Sequence, residues 1–253
     1  MRFTVVTVCR NSEKVLPRAL SSLRRQTYQD REWVVIDGLS SDATLDIVRS
    51  YSEGVGTLIS ESDRGIYDAM NKGIRAAKGD IIFFLNSDDA FHDESVLRDV
   101  ALTFDAYPWL DLLFGNVVYQ YPAERVLRTF AHINAETLIF EDLCHQAVFA
   151  RRSLFDRIGY FDERFLLNAD YDWLIRVFRS GARWRRLDRN IAIFSMGGAH
   201  MQNPAKLSEE RRAVRLQYIS PIAMAIGDLR RRITHRWHRH FCSHPLGRVP
   251  LKD

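Results

Sequence analysis

Residues Ile81-Ile82-Phe83-Phe84-Leu85 form an unbroken apolar run that ends in Asn86-Ser87-Asp88-Asp89. A run this short and this apolar reads as a strand buried on both faces. Its abrupt end in two adjacent carboxylates constrains the fold further. Such a pair at the carboxyl end of a parallel strand stands where open α/β sheets bind ligands. Two like charges side by side are costly unless something neutralises them, and a hard divalent cation does so. Mg²⁺ is normally held by one or two carboxylates plus substrate phosphates, so the stretch suggests a metal–diphosphate site. The competing reading is an Asp-Asp helix N-cap on the surface.

The surrounding pattern supports a sheet of that kind. Residues 3–8 and 33–36 read as strands, the second ending in Asp37-Gly38. Between them Asn11 or Ser12 can cap a helix with Leu16, Leu20 and Leu23 on one face. Ser41 is expected to cap a helix with Leu45 and Val48 inward, and residues 57–59 form a short strand. Residues 66–77 read as a helix closed by Lys78-Gly79 as its C-cap, followed by the strand 81–85, a helix over 96–104 and an extended segment over 112–119. This alternation implies parallel βαβ units with right-handed crossovers. Beyond residue 120 the pattern loosens: short helix 153–158 before Gly159, amphipathic helix 171–180, extended segment 185–194. The expected fold class is α/β, a mostly parallel Rossmann-like sheet flanked by helices, with a C-terminal amphipathic helix.

Length and charge narrow the class. The 253 residues suffice for one large α/β domain with an appendage. No apolar run approaches the ~20 residues that span a bilayer. Residues 1–9 are too short and too interrupted for an export signal, so a cytoplasmic location is expected. Cys9, Cys144 and Cys242 are far apart and read as reduced thiols. The formal net charge is +4, but residues 229–253 alone carry seven basic side chains against Asp253. The body is slightly acidic, which argues against nucleic acid and points to an anionic partner for the tail.

Ser220-Pro221 opens a last helix with Ile222, Ile226, Leu229, Ile233, Trp237 and Phe241 at spacings of three or four. Arginines and histidines fill its other faces, so residues 221–241 read as an interfacial helix at a membrane surface. Packing against the body is the alternative. Gly227 is a weak point, costing about 1 kcal/mol relative to Ala. The expected division is a catalytic domain over 1–212, with a nucleotide half over 1–119 and an acceptor half over 120–212, and a basic appendage over 213–253.

Four carboxylate positions carry the chemistry: Asp37, Asp63 in Ser62-Asp63-Arg64-Gly65, Asp88-Asp89, and Asp170 in Asn168-Ala169-Asp170-Tyr171-Asp172. Singly, each is a turn or cap residue. In this order, together with Val6-Thr7-Val8-Cys9-Arg10-Asn11-Ser12, Gly65-Ile66-Tyr67-Asp68-Ala69-Met70-Asn71-Lys72-Gly73 and Cys144-His145-Gln146, the chain resembles a family 2 glycosyltransferase of the GT-A fold. The resemblance covers roughly residues 3–200. It is similar in detail to small bacterial members that build exopolysaccharides, O-antigens and glycolipids.

The resemblance implies an inverting enzyme that takes a nucleotide sugar and a saccharide or lipid-linked acceptor. Asp37 would accept hydrogen bonds from base or ribose, and the chain around Thr7, Cys9 and Asn11 would line the same crevice. Asp63 and Arg64 would lie beside the nucleotide and diphosphate. Asp88 matches the metal-binding carboxylate, for Mg²⁺ or Mn²⁺, with Asp89 orienting it or binding sugar. Asn86 replaces a common Asp; it can hydrogen-bond a ribose but adds no charge. Asp170 matches the catalytic base, and burial is expected to raise its pKa toward working pH. His145 and Gln146 are candidates to hold sugar hydroxyls, and His200, in a glycine-flanked loop, is a candidate metal ligand. Asp172 reads as a cap and Trp173 as core. The Gln-x-x-Arg-Trp motif of processive members is not found after Asp170, which favours transfer of one sugar. A sugar nucleotidyltransferase is the alternative enzyme, although Thr7–Ser12 lacks a glycine-rich phosphate loop. A non-catalytic membrane partner is the third reading.

Overall fold

The computed structural model describes residues 1–51, 55–197, 203–241 and 248–249. Strand β1 (Phe3–Cys9) is buried at every position, as is all but the first residue of β2 (Arg31–Asp37). Burial on both faces explains why these strands read as apolar runs and not as alternation. The alternation reappears in which face each residue serves. Val6, Val34 and Phe84 pack with Tyr67, Met70 and Ile74 of helix α3 (Ile66–Ala76). Val5, Val35 and Phe83 pack on the opposite face with Leu16, Leu20 and Leu23 of α1 (Leu16–Arg24) and with α4 (Val96–Ala106).

The parallel part of the sheet is β3 (Val55–Ser60), β2, β1 and β4 (Ile81–Phe84), in that spatial order. Helix α2 (Thr44–Ser50) joins β2 to β3. Next to β4 the sheet turns antiparallel through β8 (Val148–Arg151), then β6 (Leu112–Gln120), β7 (Arg125–Arg128) and β10 (Arg248–Val249). Strand β9 (Trp184–Ser195) runs parallel to β6 and pairs at its end with the two-residue β5 (Ala90–Phe91). Helices α5 (Arg152–Ile158) and α6 (Ala169–Arg179) cover this half. The carboxyl ends of β1, β2 and β4 therefore open toward a single crevice, bordered by the start of α6.

Three expected caps are placed differently. Ser41 does not cap α2; Asp42 Oδ1 accepts from Thr44 N, and Glu13 accepts from Ala43 N. Gly79 does not close α3 in a left-handed turn. A Cβ there would lie 2.8 Å from the Arg2 carbonyl oxygen, while the Lys78 and Gly79 N–H groups donate to buried Glu32. The glycine is required by close backbone approach. Asp172 is not a cap: buried in the first turn of α6, it accepts from Arg176 and, at 2.7 Å, from the Tyr218 hydroxyl.

Helix α7 (Pro204–Leu216) was not legible in the sequence, and residue 212 lies inside it. Helix α8 (Pro221–Phe241) starts as expected, with the Ser220 carbonyl accepting from Met224 N at 2.9 Å. Gly227 sits where α8 crosses Phe140, whose ring would lie 2.1 Å from an added Cβ. Met224 is buried on that side, whereas Ile222, Ile226, Leu229 and Ile233 are 73, 48, 58 and 53 % exposed. The side chains of Trp237 and Phe241 and the whole of Cys242 fall outside what is described. Cys9 and Cys144 are free thiols. Among the described residues no helix is long and apolar enough to cross a membrane.

Helix α3 lies on β1 at Gly73, where a Cβ would stand 2.3 Å from a methyl of buried Val6. Alanine is the better helix former by up to ~1 kcal/mol, but overpacking a rigid β-branched neighbour costs ~1–3 kcal/mol. Gly73→Ala should therefore lower stability by about 1–2 kcal/mol in urea unfolding; a stabilised variant would mean that this contact yields.

Candidate active site

Three loops meet at the strand ends. After β1, Asn11 adopts a left-handed φ of 48°, and after β2 Leu39 adopts 56°. Non-glycine residues in this region carry strain that surrounding contacts must hold. Asn11 N donates to Ser40 Oγ and its Oδ1 accepts from Ser41 N, both at 2.8 Å. Ser12 bonds Ser87 Oγ at 3.1 Å, which ties the loop to the end of β4. Asp37 is fully buried and accepts from Ser40 N and Ser60 Oγ, with the Cys9 thiol 3.8 Å away. Burial, then the Asp37 charge, push the Cys9 thiol up to about 12, so it stays protonated. Thr7 is also fully buried and its hydroxyl accepts from the Trp33 indole. Asp63 caps its own turn through Gly65 N and rests against Gly38, where a Cβ would lie 2.4 Å from its Oδ2. Arg64 extends into solvent, paired with Asp68 and Glu163.

The two carboxylates after β4 separate in role. Asp89 is fully buried; its Oδ2 accepts from Gln146 Nε2 at 2.6 Å and its Oδ1 from Ser195 N at 2.8 Å. Burial, then the Asp88 charge, push its carboxyl well above the usual range, against the pull of those donors. Gln146 is fully buried, its amide held on Asp89. Asp88 is half-buried and borders a cavity of about 390 Å³ lined also by Lys14, Arg18, Ser195 and Gly197. Arg18 donates to Ser195 Oγ at 3.1 Å, and that hydroxyl donates to the Asp88 carbonyl.

Among the described residues no three His, Cys, Asp or Glu side chains form a metal cluster. Asp88 supplies one carboxylate at the mouth of a cation-lined cavity. That donor set fits a hard divalent ion that arrives with a diphosphate and completes its shell from phosphate oxygens and water. His200 lies outside the described residues.

Across the crevice, Asp170 is the second residue of α6. Its Oδ1 accepts from the Tyr67 hydroxyl at 2.6 Å and its Oδ2 from His145 Nδ1 at 2.8 Å. Burial raises the Asp170 carboxyl, but His145, then Tyr67 and a backbone N–H, outweigh it and hold the group below its ordinary range. This reverses the expectation of a raised base. Burial, then the Asp170 charge, push the Tyr67 hydroxyl up, so it remains a donor. His145 opens a 3-10 turn (His145–Ala147), and its Nε2 stands 3.3 Å from Asn86 Nδ2. Asn86 Oδ1 is buried without a hydrogen-bond partner among the described residues. Trp173 is core, stacked 4.4 Å from Phe155.

Sequence reasoning missed Lys14, Arg18 and Ser195. Lys14 and Arg18 carried a usable signal, being one helical turn apart directly after β1. Ser195 carried none, because its contact depends on how β9 ends.

The model of the family described as Glycosyl transferase family 2 matches residues 4–159. The PGL/p-HBAD biosynthesis glycosyltransferase of Mycobacterium bovis is 36 % identical over 184 residues, which is 71 % of either chain. Among solved structures, S. aureus TarS 1–349 in complex with UDP-GlcNAc gives a TM-score of 0.71 at 22 % identity, covering 87 % of this chain and 68 % of that one. The chain spans 39 % of a longer TarS structure. Mannosyltransferase PcManGT from Pyrobaculum calidifontis, in complex with GDP-Man and Mn²⁺, gives 0.62 at 19 % identity, covering 85 % of this chain and 61 % of that one. The structural likenesses show the fold, which is GT-A.

Gln146→Ala leaves a buried carboxylate short of a donor, so stability should fall by about 1.5–3 kcal/mol. Thermal unfolding without ligand reads this. An unchanged midpoint would return Gln146 to the open site.

Proposed function

The chain belongs to glycosyl transferase family 2, and we propose that it transfers a single sugar from a nucleoside-diphosphate sugar, a UDP-sugar foremost, to a hydroxyl of a saccharide or lipid-linked acceptor with inversion. The observation that supports this reading is the span from Asp88 to Asp170. Asp88 borders a cavity that Lys14 and Arg18 also line, and Asn86, two residues before it, touches the imidazole of the His145–Asp170 pair. A donor side and a proton-accepting side are what a single in-line displacement needs.

Base and ribose occupy the crevice at Asp37, Cys9 and Asn11, beside Asp63. The diphosphate lies toward Asp88, with Lys14 and Arg18 offsetting its charge and Arg64 within reach from the rim. Asp88 would hold Mg²⁺ or Mn²⁺, which would stabilise the departing diphosphate as a Lewis acid. The acceptor enters from the 120–212 half. Its oxygen attacks the anomeric carbon from the face opposite the leaving group, while the Asp170–His145 pair receives its proton. One displacement with one proton acceptor inverts the centre.

Four exposed apolar residues of α8, Ile222, Ile226, Leu229 and Ile233, form one stripe beside a basic sequence. That combination suits the anionic inner leaflet of the cytoplasmic membrane, where a lipid-linked acceptor would lie, each arginine adding roughly 1 kcal/mol.

Thermal unfolding with UDP, GDP, dTDP or CMP, with and without Mn²⁺, tests the enzyme reading. One diphosphate at 100 times its Kd should add about 2.7 kcal/mol with metal present. Asp88→Asn should abolish the metal dependence, and no response to any nucleotide would count against the transferase. Leu229→Ser with Ile233→Ser should reduce co-sedimentation with phosphatidylglycerol vesicles at least tenfold; equal binding would remove the membrane contact.

A further inference from the structure

Asp170 makes two short bonds to two different elements, Tyr67 of α3 at 2.6 Å and His145 of the 3-10 turn at 2.8 Å. Both depend on where α6 begins, because Asp170 is the second residue of that helix. The helix does not fix its own start. Asn168 stands at the N-cap, where an asparagine side chain ordinarily accepts from an N–H of the first turn. It makes no such bond; the residue is buried, and its Nδ2 donates to the Leu207 carbonyl of α7 at 3.0 Å instead. Directly before it, two consecutive backbone N–H groups meet one carboxylate. Leu166 N donates to Glu210 Oε1 at 3.0 Å and Leu167 N to Glu210 Oε2 at 2.8 Å. Glu210 is buried in the middle of α7. Each of these bonds, if lost, leaves a buried carboxylate short of a donor, so the pair resists displacement of the chain it holds.

The other flank of Asp170 is held from the same segment. The Arg211 guanidinium lies 4.6 Å over the Tyr171 ring, and Arg215 Nε donates to the Tyr171 hydroxyl at 3.3 Å. The Tyr218 hydroxyl donates to Asp172 at 2.7 Å. Residues 166–168 and 171–172 therefore all bond to residues 207–218, while Asp170 between them bonds to α3 and the 3-10 turn.

We infer that Glu210 is a positioning residue for the transfer: it sets the height at which α6 begins, and through it the place of the Asp170 carboxylate against the attacking hydroxyl. The inference rests on the transferase reading above, with Asp170 as the proton acceptor, and adds to it a residue that acts only through another. A misplacement of about 1 Å in a reacting group costs on the order of 10²-fold in rate. Loss of Glu210 should therefore appear in kcat, whereas Asp37 and Asp88, at the ends of other elements, keep their hold on the nucleotide.

The test uses the full chain with Mn²⁺ and follows UDP release from UDP-glucose, UDP-galactose and UDP-GlcNAc with water as acceptor, beside thermal stabilisation by UDP. Glu210→Ala should lower kcat about 10–10²-fold with KM and UDP stabilisation unchanged. Glu210→Gln, which still accepts from one of the two N–H groups, should lose less, about threefold to tenfold. Introduced into Asp170→Asn, Glu210→Ala should lower the residual rate by less than about twofold, because the base it positions is already gone. Wild-type kcat in Glu210→Ala overturns the inference, and so does an equal fold loss in both backgrounds, which marks a general structural role. Should Glu210→Ala fail to fold, wild-type kcat in Glu210→Gln overturns it in the same way. A second reading needs no turnover. The His145 Nδ1 proton, held against Asp170, should give a slowly exchanging downfield NMR resonance in the wild type that is shifted or lost in Glu210→Gln; an unchanged resonance counts against the inference. If the wild-type chain is neither stabilised by UDP nor releases it, the transferase reading falls, and the resonance alone decides whether Glu210 holds Asp170 in place.

Discussion

The Asp89 carboxylate has two donors within 2.8 Å and no exposed surface. Gln146 reaches it from the turn before β8, and Ser195 reaches it from the end of β9. A buried carboxyl group held at both oxygens cannot shift without leaving a donor or an oxygen unsatisfied, so it fixes three chain segments against one another. Asp88 precedes it, His145 precedes Gln146, and Ser195 holds Arg18. Nearly every group facing the crevice from β4, the 3-10 turn or β9 is one residue or one bond away from this anchor.

The nucleotide half was largely legible because its strands are covered on both faces and therefore carry uninterrupted apolar residues. The expected strands 3–8 and 81–85 differ from β1 and β4 by one residue, whereas 33–36 catches only the middle of β2. The second half was less legible for a physical reason. Strands β5, β7 and β8 have two to four residues each, too few for a period to show, and they owe their existence to neighbours distant in sequence. Gly79 shows the same limit in a single residue. Local grammar offers it as a helix stop, whereas the cause is the Arg2 carbonyl brought against it by β1.

The site divides in the same manner. Asp37 and Asp88 follow strands β2 and β4, and Asp63 and Asp170 stand at the approaches to α3 and α6, places the sequence marks well. What each carboxylate bonds was not written locally. Gln146 read as a sugar contact because its partner is fifty-seven positions earlier in the chain. Asp170 read as a base raised by burial, and the burial is present. His145 and Tyr67, brought in from two other elements, reverse its effect. Direction of a pKa shift depends on the donors a fold supplies, which composition does not record.

The stripe on α8 has a kinetic corollary. A catalyst held on a bilayer by Ile222, Ile226, Leu229 and Ile233 would meet a lipid-linked acceptor by lateral diffusion in a shared plane. Confinement replaces bulk concentration with surface density, and the effective molarity of acceptor headgroups then does much of what affinity does in solution. A saccharide site of this kind can stay shallow and release its product quickly. Dilution of the acceptor among other lipids, and not dilution of the suspension, would then set the rate.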